Sequence, residues 1–248
     1  LFRSDLNLLA EIGVKAYRFS VAWPRVFPEG KGRPNQHGLD FYRRLVDGLT
    51  ARGIDPMATV YHWDLPQALE DAGGWRSRDT AERLADYALC LYDALPGVAY
   101  WVTQNEPMVS AFLGHGWGNH APGRRDWREV FLAAHHILLS HGLAVRAFRQ
   151  AGGRGKIGLS LNLSPCHPAS DSPRDRAAAR RKDALEQRFF LDAVLRGAYP
   201  EDALAALAPL TLPPFSKADL DIIAAPLDFL GVNYYTRQVV ADDPDEIG

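Results

Sequence analysis

The apolar positions of the chain switch repeatedly between two periods. Leu6, Leu9 and Ile12 are spaced as on one helix face, with Ser4 placed to cap the helix and Gly13 to end it. Residues 14–23 are aromatic, β-branched and partly alternating, which predicts a strand. A Gly/Pro-rich loop follows over residues 28–38. Residues 39–51 return to helical spacing, with Phe41, Leu45, Val46 and Leu49 on one side. Further helices are predicted over 78–95, 127–150 and 176–195, and further strands over 57–63, 98–103, 156–163 and 229–233. After the first helix the order is therefore β-α-β-α-β-α-β-α-β. Such alternation implies parallel pairing and an α/β fold in one domain spanning residues 1–248. The strands are nearly all apolar, as expected when both faces of a sheet are covered.

Polar and aromatic residues gather at the C-terminal ends of these strands. The first carries Arg18, Ser20 and Trp23, and the second ends in Tyr61-His62-Trp63-Asp64. The third ends in Thr103-Gln104-Asn105-Glu106-Pro107, the fourth in Asn162, and the fifth in Asn233-Tyr234-Tyr235. A doubly wound sheet would concentrate ligand groups near one switch point. Here every strand contributes, which favours a parallel α/β barrel. The mixture of carboxyl, amide, imidazole, phenol and indole suits a sugar: indole faces stack on C–H surfaces, and amides and carboxylates bond hydroxyls.

Composition narrows the partners. With 28 Lys+Arg against 30 Asp+Glu, the chain lacks the positive excess that nucleic acid or an anionic membrane surface would call for. At 47% hydrophobic and 23% charged it reads as globular, not disordered. No run of 18 apolar residues predicts a membrane span. The N-terminus has no secretory leader pattern, so a cytoplasmic location is the default expectation. The chain begins at Leu1, has its first Met at Met57 and ends in an acidic, loop-like segment, which reads as an excerpt of a longer chain. Two cysteines make no disulfide framework; Cys90 is expected in the core and Cys166 in a loop. Gly152-Gly153-Arg154-Gly155-Lys156 precedes a strand and lacks P-loop spacing, so it reads as a turn. His135, His136 and His141 do not have the spacing of a helical zinc site and read as structural, so no metal is implied. The basic run from Arg174 to Lys182 is interleaved with acids and reads as a solvated face.

Six segments, in order, resemble glycoside hydrolase family 1, the β-glucosidase family: Tyr17-Arg18-Phe19-Ser20, Trp23 to Pro28, Tyr61 to Gln67, Thr103 to Pro107, His120-Ala121-Pro122-Gly123, and Gly231 to Thr236. The resemblance implies a TIM (β/α)8 barrel, a retaining β-glycosidase and no cofactor. Its substrate would be a small-molecule β-glycoside or oligosaccharide. By this resemblance Glu106 matches the general acid/base and Asn105 the amide that binds the sugar 2-hydroxyl. His62 and Trp63 match the floor of the sugar subsite. Arg18 matches the cation beside the nucleophile, Tyr235 the phenol that bonds the nucleophile, and Asn233 lines the same site. Asn162 is a candidate near the leaving group, and Asp64 is expected to be structural. Met108 and His115 stand where the family often has Trp and Tyr. The family's Gln-Ile-Glu-Gly segment of the first strand and its Thr-Glu-Asn-Gly nucleophile segment of the seventh do not occur in the sequence. The strands present thus correspond to about the second to the sixth of eight, an incomplete barrel expected to be inactive by itself. A non-catalytic sugar-binding relative and a gene remnant stay open as alternatives. The sequence assigns neither a particular sugar nor an oligomeric state.

Overall fold

The computed structural model describes residues 2–243. The chain runs α1 (Phe2–Ile12), β1 (Ala16–Ser20), α2 (Trp23–Val26), α3 (Gln36–Thr50), β2 (Asp55–Tyr61), α4 (Gln67–Asp71), α5 (Arg78–Ala94), β3 (Tyr100–Asn105) and α6 (Pro107–Ala111). It continues with α7 (Trp127–Gln150), β4 (Lys156–Asn162), β5 (Cys166–Pro168), α8 (Pro173–Asp183), α9 (Phe189–Arg196), α10 (Glu201–Leu207), α11 (Lys217–Ile223), β6 (Phe229–Asn233) and β7 (Gln238–Val240). The main sheet is parallel, in the order β1-β2-β3-β4-β6. Each of its strands lies beside its predecessor, with no reversal of winding. That is the order of consecutive units of a (β/α)8 barrel rather than of a doubly wound sheet. β1 and β6 each have one strand neighbour in this sheet, so the barrel is open.

The helices form where the sequence supplies caps and an apolar stripe. Asn35, Ser77, Asp126, Ser172 and Ser216 each accept a backbone N–H of the helix they precede. Between sheet and helices lies one large core. Trp23 stacks on Tyr87 of α5, with ring centroids 5.1 Å apart. Trp101 of β3 meets Tyr92 edge-on at 4.9 Å, and Phe148 of α7 closes on the same tyrosine at 5.1 Å. α7 is long and apolar enough to cross a bilayer, yet 78% of its most apolar window is buried inside the fold. It packs on β3, β4, α5 and α11 at once.

Several boundaries differ from the sequence expectation, for local reasons. The first strand stops at Ser20, because Trp23-Pro24 begins a helical turn with Pro at an N-terminal position that needs no N–H. α1 already starts at Phe2, so Ser4 lies within it. The third strand runs on to Asn105, two residues further than expected. The helix expected over 176–195 is two α-helices joined by a π turn at Ala184–Arg188. β5 and β7 pair in a small second sheet that the apolar pattern did not signal. Cys166 sits in β5, half-buried, rather than in a loop, and Cys90 on α5 is half-buried rather than in the core. Gly152 and Gly155 form the turn between α7 and β4; at φ +86°, a Cβ on Gly155 would also strike the Ala99 carbonyl. The three histidines of α7 bond separately: His135 to Tyr199 and Asp219, His136 to the Trp75 carbonyl, His141 to Thr103.

Leu84 on α5 is fully buried under this layer. Leu84→Ala is expected to cost about 2–5 kcal/mol. The check is a urea titration in which the midpoint falls at unchanged slope.

Candidate active site

The site is built around an irregularity in β3. Val102 pairs with Gly158 of β4, but the next registered pair is Asn105 with Ser160. Three steps on β3 thus answer two on β4, so one extra residue is accommodated as a bulge. Its effect is visible in the side chains. Thr103 Oγ1 lies 2.6 Å from His141 Nδ1, and Gln104 Nε2 donates to Ser140 Oγ at 2.7 Å. Both of these neighbouring residues therefore face α7, outside the sheet. Asn105 then faces the interior. Glu106 follows it there by adopting a left-handed backbone (φ 50°, ψ 66°), while its N–H keeps a ladder bond to the Ser160 carbonyl at 2.8 Å. Pro107 disfavours the right-handed helical conformation at the residue before it. A carboxylic acid in the left-handed region costs on the order of 1–2 kcal/mol.

Four strands converge on this pair. Arg18 of β1 donates through Nη2 to Asn105 Oδ1 at 2.6 Å and through Nε to Thr59 Oγ1 of β2 at 3.0 Å. Asn233 of β6 donates through Nδ2 to Glu106 Oε1 at 2.6 Å and to Asn105 Oδ1 at 3.3 Å. Ser160 of β4 donates to Asn233 Oδ1 at 3.0 Å, which fixes the orientation of that amide. Tyr235 donates to Glu106 Oε1 at 3.4 Å while 77% exposed. The resemblance pairs this phenol with a nucleophile; here its hydroxyl reaches the acid/base candidate instead. Asn105 and Glu106 themselves are buried.

The second strand end supplies the wall. Trp63 stands at φ 80° and donates its indole N–H to the Asn105 carbonyl at 2.9 Å. Its ring meets His62 edge-on at 5.0 Å, and His62 Nδ1 lies 2.9 Å from Ser20 Oγ. Asn162 shares the Ser160 face of β4 by strand parity, but its side-chain oxygen is buried without a hydrogen-bond partner and does not join the cluster. Thr59 and Ser160, which bond Arg18 and Asn233, were not singled out by residue type; their position on inward strand faces was the available signal. Behind Trp63 lies a cavity of about 780 Å³, lined also by Asp64, Gln67, Glu70, His120 and Arg124.

Burial sets the charges. It lowers the Arg18 pKa, against the pull of Glu106 and Tyr235. Burial and the Arg18 charge lower the His62 pKa, which keeps its ring neutral near pH 7. Burial lifts Asp64 to about 6, against backbone N–H groups and Arg25.

Residues 1–247 match the family model for glycosyl hydrolase family 1. The chain belongs to that family. It is 50% identical over 237 residues to thermostable beta-glucosidase B of Thermobispora bispora, covering 95% of this chain and 49% of that one. It is 44% identical over 245 residues to beta-glucosidase A of Acetivibrio thermocellus, covering 98% of this chain and 55% of that one. Among solved structures, the family 1 β-glucosidase from Thermotoga maritima superposes with a TM-score of 0.94 at 44% identity, covering 99% of this chain and 55% of that one. The chain spans about half the length of the curated relatives it matches. The open five-stranded sheet is accordingly a partial family 1 barrel.

Asp64 gives a pH test. Its folded pKa lies above the ordinary value, so it favours the fold below pH 4 and that contribution is lost as pH rises through about 6. Asp64→Asn is expected to be more stable than the parent at pH 8, by about 1–3 kcal/mol, and equal to it below pH 4. Thermal melts of both chains from about pH 3 to 8 check this.

Proposed function

We propose that this chain carries the acid/base half of a retaining β-glycosidase site and that the nucleophilic carboxylate lies outside its 248 residues. The observation that carries the reading is the pair Asn105 and Glu106 turned to the same interior point. Asn233 and Tyr235 both donate to Glu106 Oε1, which leaves Oε2 as the oxygen to deliver a proton to a glycosidic oxygen. Arg18 and Asn233 occupy Asn105 Oδ1, which leaves the Asn105 NH2 group to donate to a sugar hydroxyl. Such a contact to the 2-hydroxyl strengthens as the oxocarbenium-like transition state forms. Trp63 and neutral His62 offer an apolar face with a hydrogen-bonding edge. The partner is a small β-glycoside or oligosaccharide. The β-glucosidase from Thermotoga maritima was solved with castanospermine and with galacto-hydroximolactam, both sugar-like.

A retaining mechanism calls for a second carboxyl about 5–5.5 Å from the first. Among the described residues, Glu106 is the carboxylate that acts on Arg18, and no second one joins the cluster. The chain alone is therefore expected to leave an aryl β-glucoside intact. Joined to the C-terminal part of a family 1 relative, it is expected to hydrolyse it. Glu106→Gln in that joined form should lower kcat by about 10²–10⁴ for poor leaving groups and far less for dinitrophenolate. Turnover by the chain alone, abolished by Glu106→Gln, would overturn the half-site reading. Unchanged hydrolysis by the joined Glu106→Gln form would overturn the acid/base role.

A further inference from the structure

From the contacts behind β3 we infer that Ser140 and His141 of α7 are positioning residues: by latching Gln104 and Thr103 outward they hold the bulge that turns Asn105 and Glu106 inward. This rests on the acid/base reading of Glu106 and explains how that residue is aimed. Both latch bonds are buried, and their donors and acceptors are fixed by the surrounding contacts. Thr103 Oγ1 donates to the Gly158 carbonyl at 3.2 Å, so it accepts from His141 Nδ1–H. That hydroxyl thereby satisfies a β4 carbonyl at the point where the ladder shifts register. Ser140 Oγ donates to the Ile137 carbonyl at 2.6 Å, so it accepts from the Gln104 amide. Burial pushes His141 down to about 3, so its ring stays neutral through the neutral range.

Without the latch, the strand has a competing solution. Regular alternation would send Gln104 inward and Asn105 outward, since a shift of one residue exchanges the two faces. Gln104 stays outside because its amide has a partner there and would lose it otherwise. α7 can enforce this because it is packed on both neighbours of the bulge, β3 and β4. The helix thus reaches the site through the back of the sheet, with no atom in the sugar cleft.

Two probes read the bulge directly and need no turnover. The Trp63 indole N–H is bonded to the Asn105 carbonyl, and the Glu106 amide to the Ser160 carbonyl. In the 15N-labelled 248-residue chain the Trp63 cross-peak is assigned by its loss in Trp63→Phe. Ser140→Ala is expected to shift that peak and to speed exchange of the Glu106 amide about tenfold or more. Ser140→Thr, which keeps the hydroxyl, should restore both. Unmoved readouts in a Ser140→Ala chain that merely melts earlier would overturn the inference, since Ser140 would then only fill space. If Ser140→Ala does not fold, Gln104→Met removes the same bond from the strand side, and unmoved readouts there would overturn it equally. Both readouts are geometric, so a failure of the acid/base role would leave them standing, and the two claims fail separately.

Discussion

Asn105 and Glu106 must reach one point from neighbouring positions on a strand, and regular β geometry sends neighbours to opposite faces. The fold resolves this with two departures placed back to back. An extra residue in β3 puts Thr103 and Gln104 on the outer side together, and a left-handed turn at Glu106 puts the next pair on the inner side together. The pattern over four residues is out, out, in, in. Every other feature of the site depends on it. Arg18 can bond Asn105, and Asn233 can bridge Asn105 and Glu106, because the two acceptors lie side by side.

The second organising feature is a one-way sequence of donors. Arg18 and Asn233 have only N–H groups to offer to Asn105 Oδ1, and Ser160 fills the remaining carbonyl of Asn233. Each amide is thereby held in one orientation, with its donors and acceptors assigned by its neighbours. Preorganisation of this kind suits a site that acts on a neutral sugar, where binding comes from directed hydrogen bonds more than from net charge. Arg18 is the exception: a cation lowered in pKa by desolvation, with the Glu106 carboxylate as the charge that supports it. A second carboxylate beside it would relieve that cost, which is the electrostatic counterpart of the half-site reading. Strain recurs at Trp63, the other residue of the wall with a positive φ, where the indole N–H bond to the Asn105 carbonyl fixes the ring. Backbone strain at these two positions is sustained by a sheet that is buried on its outer side under α5 and α7.

The open edges follow from the same topology. A parallel sheet wound in one direction closes only when its last strand meets its first. β1 and β6 each keep one unpaired side within this sheet, and Val232, Tyr234 and Tyr235 are exposed beside β6. The inward-facing Thr59, Asn105, Glu106 and Ser160 stay buried, and solvent reaches the β6 edge instead.

Much of this was legible in the amino-acid order. The alternation of apolar periods gave the α/β class, the parallel pairing and the barrel-like rim, because each signal depends on neighbours within about twenty residues. The six family segments named Arg18, His62, Trp63, Asn105, Glu106, Asn233 and Tyr235, and the structure brings all of them to one end of the sheet; Asn162 shares the face without joining the cluster. The register shift in β3 was not legible, because Thr-Gln-Asn-Glu reads the same whether the strand is regular or bulged. Nor were the roles of Ser20, Thr59, Ser160, Ser140 and His141, ordinary residues whose partners lie 36 to 73 positions away. Asp64 looked structural by type, and only its burial reveals a carboxyl raised to about 6. The sequence by itself determined which chemical groups stand at the strand ends, since strand order and residue type are local properties. Only the tertiary structure decided which way each group points, because that depends on contacts between elements far apart in the chain.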